Sequence, residues 1–379
     1  DTAISRVKGK PAAGDTVAVR GHEGQWLAWA AYSPASTLRA RCWSFVEAEA
    51  VDAGWLSARV REAVARRSHL AANSNALRLV FGEADGLPGL IADRYADQIV
   101  VQFQAAGVEA HRQTLLDALV AATDCGNVFD RSDSAGRNRE GLPPTSGVAR
   151  GVEPPERIAI GEHGRRFWVD VRHGHKTGWY IDQRDNRALA AQLAGRARAA
   201  PGREPTALNC FCYTGGFSVA LAAGGAASVL SIDSSAEALA LGRENWRLNG
   251  LAEAAGEWRD GNVFEALRAL RAEERRFDLI VLDPPKFASS HHHVDRAARA
   301  YKDINLSALR LLEPGGCLLT FSCSGAVGVE LFQKIVAGAV TDAGIEAQLL
   351  RRLAAGEDHP LRMSHPEGEY LKGLLLRRV

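Results

Sequence analysis

Apolar positions along this chain follow two regimes, and the change between them falls near residue 200. Upstream, short apolar runs are broken by glycine and proline. DTVAVRG (15–21), QWLAWAAYS (25–33) and, after Pro34, RARCWSF (39–45) read as three short strands. Strands so short and so closely punctuated predict a small barrel-like domain. GWLSARVREAVARRSHLA (54–71) spaces its apolar residues for a helix with a basic outer face. Residues 77–104 read as a strand, a glycine-rich turn and two further strands, followed by a helix near 107–122. Between 131 and 156, Arg, Ser, Gly and Pro dominate without apolar period, which predicts a loop or linker. RIAIGEHGRRFWVDV predicts a hairpin turning at Gly161–Gly164, and Asp182 is expected to cap the helix that follows.

Beyond residue 200 the pattern becomes a regular alternation. ALNCF, SVLSID, FDLIVLD and CLLTFS read as strands, with helical segments near 216–224, 235–249, 297–312 and 328–343. That alternation predicts a parallel sheet covered on both faces, an α/β fold. EAQLLRRL and YLKGLLLRR have no helix between them and are expected to pair antiparallel at one edge. The reading divides the chain into a β-rich domain over 1–70, a small α/β domain over 71–190 and the larger α/β domain over 191–379. No internal repeat is visible.

Composition changes this picture little. At 46% hydrophobic and 24% charged residues the chain is ordinary globular protein, with no apolar stretch long enough to span a bilayer. The first residue is Asp1 rather than Met, so the natural start is expected to be missing or trimmed. Six cysteines contain no CxxC pair and no spaced His partner, which argues against a zinc site or a disulfide framework and points to reduced thiols in the cytoplasm. Charge is uneven. Residues 1–70 carry ten Lys/Arg against seven Asp/Glu, and residues 131–190 carry eleven against eight, although the whole chain is only +1. Two such basic segments suit a nucleic-acid partner, and equally suit ordinary surface variation.

Candidate chemistry gathers at the ends of the predicted parallel strands. Thr214, Gly215 and Gly216 follow the first strand and let a ligand approach the backbone, where the next helix offers free N–H groups. Asp233 ends the next strand, where a carboxylate can accept from both hydroxyls of a ribose. Together they read as a nucleoside-bearing cofactor site, though the turn does not match GxGxxG and no phosphate-loop motif is present. The plainer alternatives are a close-packed turn and a helix-capping acid. LDPPKF (282–287) holds Asp283 and Lys286 on a stiff Pro-Pro loop, and TFSCSG (320–325) brings Cys323 to the same rim.

YTGGFSV, the SID acid, LDPPKF and FSCSG, in that order, resemble the class I S-adenosylmethionine-dependent RNA methyltransferases. Within them the chain resembles the large-subunit ribosomal RNA methyltransferase I family, which makes 5-methylcytosine. HGHKTGWYIDQRDNR (173–187) and GEDHPLRMSHPEGEYLKG (356–373) are also similar to that family, and GDTVAVRG (14–21) and YSPASTLRAR (32–41) more loosely. The similarity covers nearly the whole chain. It implies an N-terminal PUA domain for RNA, a small α/β middle domain and a Rossmann-like catalytic domain. It implies S-adenosylmethionine as cofactor, held by Tyr213, Thr214, Gly215, Gly216, Phe217, Asp233, Asn262, Asp283 and Gln183. It implies 23S ribosomal RNA as partner, met by Arg39, Arg41, His175 and Lys176, no membrane and no metal, and it leaves a homodimer open. Two departures stand out: the family's basic N-terminal opening is absent, and Asn262 stands where relatives carry an Asp facing adenine.

The resemblance also gives the cysteine a purpose. Carbon 5 of a pyrimidine is a poor nucleophile until a thiolate adds to carbon 6, and loss of the carbon-5 proton then expels the thiolate. Cys323 is the expected nucleophile, Lys286 the cation that lowers its pKa, and Asp283 the group that stabilises the ring. Asp283, Glu367 or water are candidates for removing the carbon-5 proton. Cys210, Cys212 and Cys317 read as packing residues. Tyr213 reads either as a stacking or as a core aromatic, Trp26, Trp29 and Trp43 as core, and His291, His292 and His293 as part of a loop rather than a metal site. The same thiol chemistry serves uracil, so the residues leave the base open. Rival readings are methylation of guanine or of another RNA, and an RNA-binding assembly protein with an unused cofactor fold.

Overall fold

The computed structural model describes residues 4–199, 202, 204–288 and 291–379. By contacts the chain separates into two compact units. The first comprises 1–162, 169–181 and 358–368, and the second 163–168, 182–357 and 369–379.

In the first unit β1 (Thr16–Arg20), β2 (Trp26–Tyr32) and β3 (Ala40–Ser44) form the expected antiparallel meander. Helix α1 (Ala53–Ala65) is capped by Asp52, whose side chain accepts from the Trp55 N–H. A five-stranded sheet follows, with β4 (Ala76–Phe81), β5 (Leu90–Tyr95) and β6 (Gln98–Phe103) in sequence. Helices α2 (Ala106–Ala110) and α3 (Arg112–Thr123) lead into β7 (Asn127–Ser132) and β8 (Thr145–Arg150), which complete it. One buried cluster joins Ala31 and Trp43 of the meander to Leu56 and Val60 of α1 and to Val80, Ile99 and Val128 of the larger sheet. The expected division at residue 70 therefore falls inside a shared core.

Residues 131–150 correct the expectation of a loop. They hold the end of β7, a 3-10 turn at Ala135–Glu140 and strand β8. The segment escaped an apolar-period reading because what it buries is charged. Glu140 accepts from Ser33 Oγ at 2.8 Å and Arg41 Nη2 at 3.0 Å, while Arg137 donates to Pro143 O at 2.9 Å and pairs with Glu109 at 2.9 Å.

A hairpin of β9 (Ile158–Glu162) and β10 (Arg165–Val169) forms as predicted, with His163 and Gly164 both at positive φ in its turn. In the second unit α4 (Arg184–Arg198) begins at Gln183, not at an Asp182 cap. Asp182 is buried and accepts from the Tyr370 hydroxyl at 2.5 Å. Next come β11 (Thr206–Cys210), α5 (Gly216–Gly224), β12 (Ser228–Asp233) and α6 (Ala236–Leu248). Strand β13 (Gly256–Asp260) and helix α7 (Val263–Ala272) were not read as an alternating pair. GEWRD is too polar to look like a strand, and it is tolerated because β13 is an edge. The chain closes with β14 (Phe277–Leu282), α8 (Val294–Leu311), β15 (Leu312–Ser322), α9 (Val329–Ala343), β16 (Ala347–Ala354) and β17 (Lys372–Arg378).

These seven strands form one sheet in the order β13-β12-β11-β14-β15-β17-β16, parallel except for β17. Leu208, Ile232, Ile280, Leu282 and Leu318 face Leu267 of α7, Tyr301 and Ile304 of α8 and Phe332 of α9 in a single buried cluster. On the other helices, α4 and α5 approach so closely that a Cβ on Gly224 would lie 2.3 Å from Ala191 O.

Candidate functional site

The sheet order fixes where a ligand belongs. From β11 the chain moves outward to β12 and β13, then returns to place β14 on the other side of β11. This reversal opens a crevice beyond the carboxyl ends of β11 and β14. The Asp283 N–H lies 3.5 Å from Cys210 O across it.

The turn after β11 is held in an uncommon conformation. Phe211 (φ 60°), Tyr213 (φ 49°) and Gly215 (φ 77°) all adopt left-handed backbone. For the two aromatic residues this costs about 1–3 kcal/mol each, strain that concentrates where a backbone must present N–H groups to a ligand. Asp233, at the end of β12, accepts from the Tyr213 N–H at 2.8 Å through one oxygen and from the Ser235 N–H at 3.0 Å through the other. The acid thus fixes the turn as well as standing at the strand end. Gly215 is required twice over, since a Cβ there would also meet Trp258 at 2.7 Å. The close-packed-turn reading therefore holds for Gly215, beside any ligand role.

Two buried polar atoms decide whether a cofactor fits. The Thr214 hydroxyl is buried within the turn and has no hydrogen-bond partner, and the Gln183 Nε2 is in the same condition, although Gln183 Oε1 accepts from Asn186 at 2.6 Å. Most buried polar groups find a partner, and a polar ligand at the turn would supply one. Phe217 is buried against Phe321, with ring centroids 5.8 Å apart, and supports the turn by packing. Asn262 caps α7, its carbonyl oxygen accepting from the Phe264 N–H at 2.9 Å. That oxygen keeps a second lone pair, which could still accept from an adenine amino group.

At the end of β15 the backbone singles out one thiol. Ser322 and Ser324 are fully buried, while Cys323 between them is half-exposed. Ser324 Oγ accepts from the Ala288 N–H at 3.1 Å and bonds the Tyr301 hydroxyl at 2.9 Å, which ties this loop to the Asp283–Ala288 segment. Cys323 Sγ lies 3.8 Å from Pro284 O. The other strand cysteines behave as packing: burial pushes the Cys210 and Cys212 thiols far up, Asp233 adding to the second, and raises Cys317 too.

Comparison with known proteins agrees with this fold. The S-adenosylmethionine-dependent methyltransferase family profile matches residues 143–343, and a PUA-like domain profile matches residues 1–45. Proteins named ribosomal RNA large subunit methyltransferase I are similar over almost their whole length. That of Shewanella denitrificans is 46% identical, covering 97% of this chain and 91% of the relative; that of Tolumonas auensis is 46% identical, covering 100% and 94%. An Escherichia coli relative is 43% identical, covering 99% and 93%. The chain belongs to the ribosomal RNA large subunit methyltransferase I family. A Streptococcus mutans protein regarded as a SAM-dependent methyltransferase shares the fold, with a TM-score of 0.83 at 21% identity over 97% of this chain and 93% of that one. Another chain with the same TM-score and identity, covering 97% and 92%, is complexed with SAH. As a member of this family the chain is an S-adenosylmethionine-dependent ribosomal RNA methyltransferase with an N-terminal PUA-like domain.

The residues expected to meet RNA lie in the first unit. His175 Nδ1 bonds Tyr180 OH at 3.2 Å and the Lys176 ammonium sits 4.5 Å from the Tyr180 ring centroid. Arg39 bonds Tyr32 OH at 3.1 Å. The Arg41 guanidinium is held between Glu83 and Glu140, at 3.4 and 3.0 Å, so its charge is compensated within the fold. Lys286 is exposed. His291–His293 form a 3-10 turn; their neighbours Ser289 and Ser290 lie outside the described residues. Among the described residues no three His, Cys, Asp or Glu groups converge as metal ligands, and no helix is long and apolar enough to cross a membrane.

One polar residue at the rim was missed in the sequence. Lys372, the first residue of β17, is buried and pairs in register with Ser322; its Nζ donates to Ser324 O at 2.9 Å. The available signal was a lysine at the head of an otherwise apolar strand, YLKGLLL.

Proposed function

We propose that this chain methylates carbon 5 of a cytosine in large-subunit ribosomal RNA through a covalent adduct to Cys323, and that it does so in the cytoplasm. The observation that carries the covalent step is the half-buried thiol between two buried serines, beside the Asp283–Pro284 loop, while the resemblance to the 5-methylcytosine family carries the choice of base. Methylation of guanine needs no such thiol.

Tyr213, Thr214, Gly215 and Gly216 hold the cofactor through backbone and hydroxyl groups, Asp233 holds its ribose, and Gln183 offers its Nε2. S-adenosylmethionine, when bound, supplies the methyl group as an electrophile. Phe217 acts behind this surface by packing, and Asn262 caps α7 while keeping a lone pair for the adenine amino group. Cys323 acts by adding its thiolate to carbon 6 of the ring, which moves the carbon 5–carbon 6 electron pair into the ring and makes carbon 5 nucleophilic. The Asp283 carboxyl group holds a proton at ring nitrogen 3, neutralising the charge that arrives there. After methylation water takes the carbon-5 proton, the electron pair it leaves restores the carbon 5–carbon 6 double bond, the pair of the carbon 6–sulfur bond returns to Cys323, and the nitrogen-3 proton returns to Asp283.

A substrate that cannot lose the group at carbon 5 tests this. Incubated with the methyl donor and a ribosomal RNA fragment containing 5-fluorocytidine, the wild-type protein is expected to form an RNA–protein adduct stable on a denaturing gel. Cys323→Ala is expected to form none. An adduct of equal yield with Cys323→Ala would remove this residue from the role.

A further inference from the structure

Lysine is almost never fully buried without a counter-charge, and the second unit buries one beside its half-exposed thiol. Lys372 is 4% exposed. Its Cα is paired with Ser322, and its ammonium reaches the carbonyl of Ser324, so the side chain runs alongside the peptide that carries Cys323. One donor of the ammonium is used there, and two remain. The carbonyl is a neutral partner and does not balance the charge.

Other ionisable groups around the pair are few. Tyr301 on α8 bonds Ser324 Oγ, and its own pKa is raised by burial and by the charge of Cys323, so it stays neutral. Glu369, ahead of β17, is exposed; Lys286 and Asp283 lie on the loop after β14, the first exposed and the second half-buried. Burial, the largest influence, leaves the pKa of Lys372 lowered overall; negative charge on Cys323 and then on Glu369 works against that, and Lys286 adds to it. Of the groups around it, Cys323 is the one whose anion would most favour the ammonium.

We propose that Lys372 is the cation that holds Cys323 as a thiolate, a positioning residue for the nucleophile in place of Lys286. The thiol proton leaves to solvent, and the resulting anion is matched by an ammonium already buried against the next peptide. An exposed Lys286 is screened by water and acts far more weakly at the same separation. The proposal rests on the reading of Cys323 as nucleophile.

Its test needs neither RNA nor methyl donor. The rate of alkylation of Cys323 by iodoacetamide, followed on its own peptide by mass spectrometry, is measured against pH for wild type, Lys372→Met, Lys372→Arg and Lys286→Ala. The midpoint for wild type is expected well below the roughly 8.5 of a free thiol. Lys372→Met is expected to raise it by about one unit or more, a roughly tenfold loss of rate near neutrality, while Lys372→Arg restores most of it. Lys286→Ala is expected to move it by only a few tenths. A wild-type midpoint at or above that of a free thiol overturns the proposal whether or not any variant folds. So does an unmoved midpoint in Lys372→Met, or a shift produced by Lys286→Ala instead. If the thiolate behaves as expected and no methyl group reaches cytosine, the pairing stands and the reaction assignment falls.

Discussion

A buried hydroxyl without a partner costs about 1–3 kcal/mol, and Thr214 carries one inside the strained turn after β11. Replacing it with valine keeps the shape and removes the orphan. Thr214→Val is therefore expected to leave the unfolding midpoint unchanged or higher. It is also expected to weaken S-adenosylhomocysteine binding about 3- to 10-fold, the worth of one hydrogen bond, as measured by titration calorimetry. Unaltered affinity would make the hydroxyl a packing defect. The sequence announced Thr214, Asp233, Asp283 and Cys323 because each stands at a punctuation mark, a glycine pair, a proline pair or a strand end. Lys372 carries no such mark; only the register of β17 against β15 brings it to the thiol. Asp182 misled for a related reason, since an acid before a helix looks like a cap until Tyr370, far along the chain, takes its oxygen.

At the scale of elements, apolar periodicity recovered the strands and helices that bury hydrocarbon and failed where elements bury charge. β13 is short and polar, and β8 with the turn before it is anchored through Glu140 and Arg137. Burial alone would raise the Glu140 pKa, but hydrogen bonds from Ser36 and Ser33 and the Arg41 guanidinium outweigh it and hold the carboxyl below its usual range. A carboxyl depressed in the folded state stabilises the fold above its unfolded pKa, and that contribution is lost as pH falls through the folded value. Glu140→Gln is expected to destabilise the first unit by about 1–3 kcal/mol near neutrality. The difference from wild type should begin to shrink as pH falls below the ordinary glutamate value of about 4.3, and close only below the depressed folded value, where both side chains are uncharged. Urea unfolding at the two pH values reads it, and a difference that does not depend on pH would contradict the ionic origin.

At the scale of the molecule, the methyltransferase unit is not one stretch of sequence. Residues 163–168 and 369–379 join 182–357 in it, while 358–368 belong to the other unit. A linear reading cannot see such exchange, although it recognised the sheet, its edge pair and the motifs at the strand ends. The strand order places those motifs on one rim, and the central claim concerns what that rim does to RNA. Wild-type protein and Cys323→Ala would be incubated with methyl-labelled S-adenosylmethionine and unmodified large-subunit ribosomal RNA, and the labelled nucleoside identified after digestion. The account predicts label in 5-methylcytidine with wild type and none with the variant. Label in a uridine or guanosine, or undiminished label from Cys323→Ala, would contradict it.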